Sequence, residues 1–205
     1  HGLSREFQNA ALNNFNLLNW SQQDLIKIAY AGNLTIPFLD IPVFKAVINN
    51  YPTVQFHLFG DIDPHLLSQA HQEWIDFLKH SKNVFLRGTV MPAVLSMEYQ
   101  EMDGFLLCYK PDYINYHGEN SHKILEYFSA GKVLISTYIS LYEGSELIAM
   151  SSKNKNESMV ALFGEVLKNL KFYNSAELIK KRILFALDNT YEKQVQRIEK
   201  ILYGT

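Results

Sequence analysis

Short apolar runs alternate with amphipathic stretches along most of the chain. Each apolar run is bounded by Gly, Pro, Asn or Asp, as buried strands are. The runs are Ile26–Ala31, Val54–Phe59, Val84–Leu86, Gly104–Cys108, Val133–Ser136 and Leu147–Met150. The stretches with helical character between them are Asp40–Asn49, His65–His80, Pro92–Gln100, Ser121–Ala130 and Ile139–Tyr142. This alternation predicts an α/β fold, a parallel sheet of about six strands with helices on both faces.

The pattern changes after Met150. A polar loop, Ser151–Asn156, is followed by three stretches with helical spacing of apolar residues: Glu157–Leu170, Ser175–Leu187 and Tyr191–Leu202. We expect these helices, over residues 153–205, to pack on a central domain that spans residues 26–152.

Residues 1–25 are predicted to be a linker segment that leads into the central domain. Phe7, Ala11, Phe15 and Leu18 would share one face of a helix there, although several Asn residues disfavour helix formation.

Composition and charge narrow the functional class. The chain has 205 residues, of which 47% are hydrophobic and 20% charged, so collagen-like and disordered chains are excluded. The net charge is −2, and the densest basic cluster, Lys180-Lys181-Arg182, is interpreted as a solvated helix face. We therefore expect no nucleic-acid partner. The single cysteine, Cys108, cannot form an internal disulfide, which favours a reducing compartment.

The sequence predicts no membrane span, because a span needs about 20 mostly apolar residues. The longest uncharged stretch, Phe7–Gln23, is rich in Asn and Gln. The first residues lack the basic start and apolar centre of a signal peptide, and the chain does not begin with Met. We therefore expect a fragment or a processed product that is located in the cytoplasm.

Glycine and polar residues follow the predicted strands at the carboxyl edge, where open parallel sheets bind ligands. Gly32 and Asn33 follow the first strand, and the glycine either lets a ligand approach the backbone or forms a tight turn. Arg87, with Gly88 and Thr89 after it, either faces a phosphate or lies on a short exposed edge. The chain has no G-x-G-x-x-G motif, which disfavours a dinucleotide-dependent oxidoreductase.

A long loop is predicted over residues 108–120, and loops of this length in compact domains are often functional. It begins with Tyr109 and Lys110 and contains further tyrosines. Its aromatic side chains either stack on a ring of a ligand or pack the loop against the domain.

The predicted helix after this loop carries Lys123 and Glu126, which share one face because they are three residues apart. The helix N-terminus together with Lys123 would form an anion site. A carboxylate one turn further along would accept hydrogen bonds from the two hydroxyls of a ribose. The alternative is an ion pair between these residues on a surface helix.

The segment Ser121–Thr137 resembles the signature of group 1 (GT4-like) glycosyltransferases of the GT-B fold. That signature contains Lys, two apolar residues, Glu, Tyr, small residues and Gly-Lys-Pro before an apolar strand. Further segments are similar to the family in the expected order: His1–Leu3 to the linker before the C-terminal domain, Ala29–Leu34 to the first strand and glycine turn, and Asn83–Val90 and Met102–Leu107 to later strands.

The resemblance implies the C-terminal, donor-binding domain of such an enzyme: a Rossmann-like half of a GT-B fold that binds a UDP- or GDP-sugar. Glu126 would bind the ribose, Lys123 and Ser121 the diphosphate, and Lys110 would be a further phosphate ligand. The candidate donor-nucleotide residues are Gly32, Asn33, Arg87, Gly88, Thr89, Tyr109, Lys110, Ser121, His122, Lys123 and Glu126.

The resemblance also implies that the N-terminal acceptor domain is missing, so this chain alone should be inactive. Such hexosyltransferases need neither a metal nor a cofactor, act on glycan or lipid-linked acceptors in polysaccharide biosynthesis, and work in the cytoplasm or at the inner face of the membrane. The resemblance assigns no catalytic residue.

The sequence departs from the family pattern at two positions. A second Glu that many members carry is replaced by Gly118, with Glu119 one residue away, and the Pro of the signature is replaced by Val133. These changes put the contacts to the donor sugar in question. The alternative function is a flavodoxin-like or other non-catalytic nucleotide-binding module. His65 and His71 are interpreted as surface residues.

Overall fold

The protein folds around a parallel sheet of six strands. The structure is a computed structural model that describes residues 1–15, 20–21, 24–62, 68–111 and 122–204. The strands are β1 (Lys27–Ala31), β2 (Gln55–Phe59), β3 (Val84–Gly88), β4 (Gly104–Leu107), β5 (Val133–Ser136) and β6 (Ile148–Met150). All six predicted strands are confirmed, with small differences at their ends.

The strand order is β3-β2-β1-β4-β5-β6, and every pairing is parallel. This is the order of a Rossmann-like sheet, whereas a flavodoxin-like sheet has the order 2-1-3-4-5. The Rossmann-like expectation is therefore confirmed, and a flavodoxin-like sheet is wrong. The alternative of another non-catalytic nucleotide-binding module stays a prediction. The order reverses between β1 and β4, and ligands bind at the carboxyl ends of the strands that flank such a reversal.

Helices cover both faces of the sheet. They are α1 (Arg5–Phe15), α2 (Ile41–Asn50), α3 (Gln69–His80), α4 (Pro92–Glu98), α5 (His122–Ser129), α6 (Met159–Lys168), α7 (Leu170–Tyr173), α8 (Ala176–Asp188) and α9 (Tyr191–Tyr203). Two differ from the sequence prediction. The stretch predicted over Ile139–Tyr142 is a single 3-10 turn, Ser140–Tyr142. The stretch predicted over Glu157–Leu170 contains a break at Asn169, which separates α6 from α7.

The first helix packs on the rest of the domain. Phe7 and Ala11 are buried, as their shared face predicts, and Phe15 packs against the cluster that contains Ala11. Leu18 lies outside the described residues. One buried core contains side chains from all three predicted ranges, for example Phe7, Phe105 and Phe163. The boundaries predicted at residues 25 and 152 stay a prediction.

The basic cluster Lys180-Lys181-Arg182 is not a uniformly solvated face, and the interpretation of Arg182 was wrong. Its side chain is fully buried beneath α8. Nε donates to the carbonyl of Leu147, and Nη1 donates to the carbonyls of Gly131 and Tyr173. Arg182 therefore connects the C-terminal helices to the loops that precede β5 and β6. Burial lowers the pKa of this guanidinium to about 10.

The last helix, α9, has no buried residue although its sequence is amphipathic. Tyr191, Val195, Ile198 and Leu202 recur at spacings of four, three and four residues, and each is at least half exposed. Such spacing places the four side chains along one stripe of the helix. No helix among the described residues is long and apolar enough to cross a membrane.

Candidate functional site

The two strands at the reversal of strand order part before their carboxyl ends. β1 pairs with β4 at Ile28–Gly104 and Ala29–Phe105. Beyond these pairs, the backbone amide of Ala31 donates to the side-chain hydroxyl of Tyr127 over 2.9 Å. Gly32 follows β1 here. Residues 108 and 109 follow β4, so both strand ends border the same crevice.

Lys123, in the first turn of α5, reaches this crevice. Its Nζ is so close to Gly32 that a β-carbon built on that glycine would lie 2.5 Å from it. The same Nζ donates to the hydroxyl of Tyr109 over 3.4 Å and lies 5.9 Å from the ring centre of Tyr30. The structure therefore brings together three of the predicted residues, Gly32, Tyr109 and Lys123.

The ammonium of Lys123 is poorly solvated where it lies. Burial lowers the pKa of Lys123, and the charge of Glu126 offsets this only in part. Among the residues that the structure describes, no carboxylate oxygen lies within 4 Å of this Nζ. A partly buried cation whose hydrogen bond to a neutral hydroxyl is long is arranged to receive an anion.

Glu126 lies one turn further along α5 and is also largely buried, with 19% of its side chain exposed. Burial raises the pKa of this carboxyl to about 7, and the charge of Lys123 opposes the rise. Its nearest basic group in the described part of the chain is His122, whose Nε2 lies 3.9 Å from Oε1. The surface ion pair between Lys123 and Glu126 that the spacing left open is therefore not formed.

Two backbone amides of the Gly32 turn are already hydrogen-bonded within the protein, so they are not free to bind a ligand. The amide of Gly32 donates to the carbonyl of Phe59, and the amide of Leu34 donates to the carbonyl of Asp61. The side-chain oxygen of Asn33 accepts two hydrogen bonds, both of 2.7 Å, from the amide and the hydroxyl of Thr35. The absent side chain at residue 32 makes room for the amine of Lys123.

The predicted residues at the end of β3, Arg87, Gly88 and Thr89, have other contacts. One guanidinium nitrogen of Arg87 donates to both carboxylate oxygens of Glu98 at 3.1 Å. The guanidinium also lies over the ring of Phe59, 5.8 Å from its centre. Gly88 adopts a positive φ of 66° beside open space, and Thr89 is exposed. Of the two interpretations of Arg87, the structure shows a partly exposed arginine that is paired with an acidic residue.

The first two residues of the long loop, Tyr109 and Lys110, are hydrogen-bonded to the rest of the domain. The amide of Tyr109 donates to the hydroxyl of Thr137, and its carbonyl accepts from the side chain of Asn156. Lys110 is exposed, and its Nζ donates to the carbonyl of Pro37 over 2.6 Å. Ser121, Gly118, Glu119 and His65 lie outside the described residues.

Two tyrosines at the crevice were missed by the sequence interpretation. Tyr30, in β1, lies beneath the amine of Lys123, and its hydroxyl donates to the carbonyl of Asn33 over 3.3 Å. Tyr127, in α5, accepts from the end of β1. The signal available in the sequence was a polar hydroxyl within an otherwise apolar strand or helix face, because buried tyrosines usually need a hydrogen-bond partner.

A pocket lies at the other end of the strands, near the amino ends of β1, β4 and β5. It has a volume of about 470 Å³, and its lining includes Trp20, Lys27, Asp103 and Lys132. The carboxylate of Asp103 accepts from the indole of Trp20 and from the amide of Lys27, so it serves to join the segment before β1 to the turn before β4. Within the described ranges no group of three or more His, Cys, Asp or Glu side chains is placed to hold a metal ion.

Comparison with known proteins identifies the fold. No family model matches the sequence, and no curated protein sequence matches it. Three similar solved structures are Anabaena HepE in complex with UDP and glucose (12% identity, TM-score 0.67), the sucrose-phosphate synthase of Thermosynechococcus elongatus (13%, 0.68) and a glycosyltransferase from Rickettsia africae (14%, 0.60).

These alignments cover 100%, 99% and 99% of this chain but only 56%, 50% and 54% of the respective structures. The chain therefore spans about half the length of the proteins that it matches. At these identities the likeness shows the fold alone, and this chain has the Rossmann-like fold of one half of GT-B glycosyltransferase structures.

Proposed function

We propose that this chain is the nucleotide-sugar-binding half of a glycosyltransferase that transfers a sugar from a UDP- or GDP-sugar to a glycan or lipid-linked acceptor. The observation that carries the proposal is the partly buried amine of Lys123 at the point where the strand order reverses. A Rossmann-like sheet binds nucleotides at this point.

The diphosphate would bind at the N-terminal end of α5. The positive end of a helix and the ammonium of Lys123 together favour a doubly charged anion there. An incoming phosphate oxygen would replace the long hydrogen bond between Nζ and the hydroxyl of Tyr109 with a shorter, charge-assisted one. The phosphate charge would then be balanced by the protein without a metal ion.

The ribose would bind one turn further along the helix, at Glu126. A carboxylate accepts from two adjacent hydroxyls at once, and the partly buried position of Glu126 keeps water from competing for it. Because its pKa is raised to about 7, ionisation of this carboxyl would be coupled to binding of the sugar hydroxyls near neutral pH. His122, at 3.9 Å, favours the ionised form whenever it is protonated.

The other half of the enzyme would supply the acceptor site. The similar structures are about twice as long as this chain, and HepE is named in complexes with UDP and with UDP-glucose. The exposed apolar stripe on α9 is a surface that the other half would cover, since half-exposed Val, Ile and Leu side chains in a row are unfavourable in water. On this proposal the chain alone binds the donor but transfers no sugar.

A ligand panel tests the proposal. Melting temperatures are measured with UDP, GDP, NAD and FMN, each over a range of concentrations. A ligand at 100 times its dissociation constant stabilises the folded state by about 2.7 kcal/mol. The proposal predicts a rise for UDP or GDP and none for NAD or FMN. A rise for FMN or NAD alone would instead indicate a flavin- or dinucleotide-binding module, and no rise for any ligand would contradict a nucleotide site.

A further inference from the structure

The hydroxyl of Tyr127 occupies the position where pairing between β1 and β4 would otherwise continue. The amide of Ala31 donates to it over 2.9 Å, and it lies 3.4 Å from the carbonyl of the same residue. Ala31 is the last residue of β1, and Gly32 follows it directly. One side chain therefore holds both polar groups of the residue before the glycine turn.

The ring of Tyr127 is held rigidly. It stacks on Phe105 of β4, with ring centres 4.4 Å apart and planes at 17°, and it contacts Tyr99 at 5.5 Å. Tyr127 is fully buried, and burial raises the pKa of its hydroxyl well above the usual value, so the hydroxyl stays protonated at neutral pH. The position of the hydroxyl is therefore set by the core.

Tyr127 and Lys123 are one helical turn apart, and they contact consecutive residues of the β1 end. Tyr127 contacts residue 31, while the amine of Lys123 lies against residue 32. A β-carbon built on Gly32 would lie only 2.5 Å from Nζ, so the glycine and the amine are in contact. A small shift of the end of β1 would therefore change the space available to an anion beside the amine.

We infer that Tyr127 is a positioning residue for the diphosphate site: its hydroxyl fixes the end of β1 so that the Gly32 turn and the amine of Lys123 form one anion-binding surface. This inference rests on the proposed nucleotide-binding function. Tyr127 has no direct contact with the anion. It acts through the backbone of Ala31 and Gly32.

Tyr99 provides a matched control. It is also fully buried, packs against the same Phe105 at 4.8 Å, and carries a hydroxyl without a hydrogen-bond partner among the residues that the structure describes. Tyr99→Phe and Tyr127→Phe remove the same atom from neighbouring rings of the same core. Only the second removes a bond to the end of β1.

The binding experiment compares UDP with uridine by calorimetry in the wild type and both variants, or GDP with guanosine if the panel favours GDP. Tyr127→Phe is expected to weaken diphosphate binding about tenfold. At metal sites, removal of a hydrogen bond that orients a ligand lowers affinity by about ten- to a hundredfold, and we expect the lower value here. Nucleoside binding should change less than twofold, and Tyr99→Phe should leave both unchanged. Unchanged diphosphate affinity in Tyr127→Phe, or equal losses for UDP and uridine, would overturn the inference.

Amide hydrogen exchange separates this inference from the proposed function, because it needs no nucleotide. In the wild type the amide of Ala31 should exchange as slowly as that of Ala29 within the sheet, and Tyr127→Phe should speed its exchange at least tenfold while Tyr99→Phe does not. Fast exchange of Ala31 in the wild type overturns the inference even if Tyr127→Phe fails to fold. If the wild type binds no nucleotide while Ala31 is protected, the proposed function is what fails.

Discussion

Gly32 and Lys123 are in contact across the reversal of strand order: a β-carbon on residue 32 would lie 2.5 Å from Nζ and 2.9 Å from Cε of the lysine. Real β-carbons do not approach other atoms so closely, so Gly32→Ala must displace the end of the lysine side chain. The φ of 149° at Gly32 adds backbone strain for alanine. We expect Gly32→Ala to weaken diphosphate binding about tenfold, corresponding to about 1.4 kcal/mol, in a calorimetric titration with UDP.

Gly144→Ala is the control for strain alone. Gly144 also has a positive φ, of 74°, but a β-carbon there would meet no atom within 4 Å. This variant should lose stability without losing affinity for UDP. If both variants bind UDP like the wild type, the contact between Gly32 and Lys123 has no part in binding.

Nucleotide affinity should depend on pH through Glu126. Burial raises the pKa of this carboxyl to about 7, so it loses its proton as the pH rises through neutrality and becomes a stronger acceptor for ribose hydroxyls. UDP should therefore bind more tightly just above pH 7 than just below it. In Glu126→Gln only the titration of the phosphate should remain, and an unchanged pH profile in this variant would exclude Glu126 as the ribose ligand.

The same shift makes a prediction about stability. The pKa of Glu126 is higher in the folded than in the unfolded state, so the folded state binds the proton more tightly. The contribution of this group to stability is therefore fully present below about pH 4.5, declines as the pH rises, and is lost above about pH 7. Glu126→Gln should reduce this decline in a series of denaturant titrations. An unchanged decline in the variant would mean that burial does not raise the pKa of this carboxyl.

Arg182 should be essential for stability although it is remote from the site. Its guanidinium donates to the carbonyls of Leu147, Gly131 and Tyr173, and an unpaired buried carbonyl costs about 1–3 kcal/mol. The penalty for burying its charge offsets part of this. Arg182→Met should cost more than about 2 kcal/mol in urea denaturation. Its neighbour Lys180 is exposed and lies over the ring of Phe15. Lys180→Met should lower the free energy of unfolding by less than about 1 kcal/mol. Equal costs would contradict the burial of Arg182.

The apolar stripe of α9 should contribute little to the stability of this chain. Val195 and Ile198 are 52% and 55% exposed, so changing both to Gln should alter the free energy of unfolding by less than about 1 kcal/mol. Leu178→Gln, at a buried position of α8, should cost several times more. A large loss for the α9 pair would show that this stripe is already packed within the chain.

The elements could be predicted from sequence because their signals are local. β5 was predicted with its observed ends, Val133 and Ser136, since a buried strand of a parallel sheet is a continuous apolar run. Helix α5 was predicted from its amphipathic spacing, and this placed Lys123 and Glu126 on one face. What local spacing could not supply was the strand order, which decides that the end of β1 lies beside the end of β4.

Long-range partners account for the differences. Arg182 lies in a run of basic residues, but the three carbonyls that accept its hydrogen bonds come from two separate loops and the end of helix α7. Arg87 has an acidic partner, Glu98, on the following helix, and nothing in the strand itself signals this pairing. The hydrogen bond between Tyr127 and Ala31 joins residues 96 positions apart. Sequence patterns indicate which face of an element is buried, but they do not indicate which polar groups form hydrogen bonds or ion pairs with each other.

The most direct test of the nucleotide site compares UDP with uridine on the wild type and on Lys123→Met, which keeps the length of the side chain and removes its charge. A hydrogen bond to a charged group contributes about 1.5–3 kcal/mol, so the variant should bind UDP roughly ten to a hundred times more weakly. Uridine, which lacks the diphosphate, should bind the two proteins equally. If Lys123→Met binds UDP as tightly as the wild type, the amine beside Gly32 is not a phosphate ligand and the proposed site is wrong.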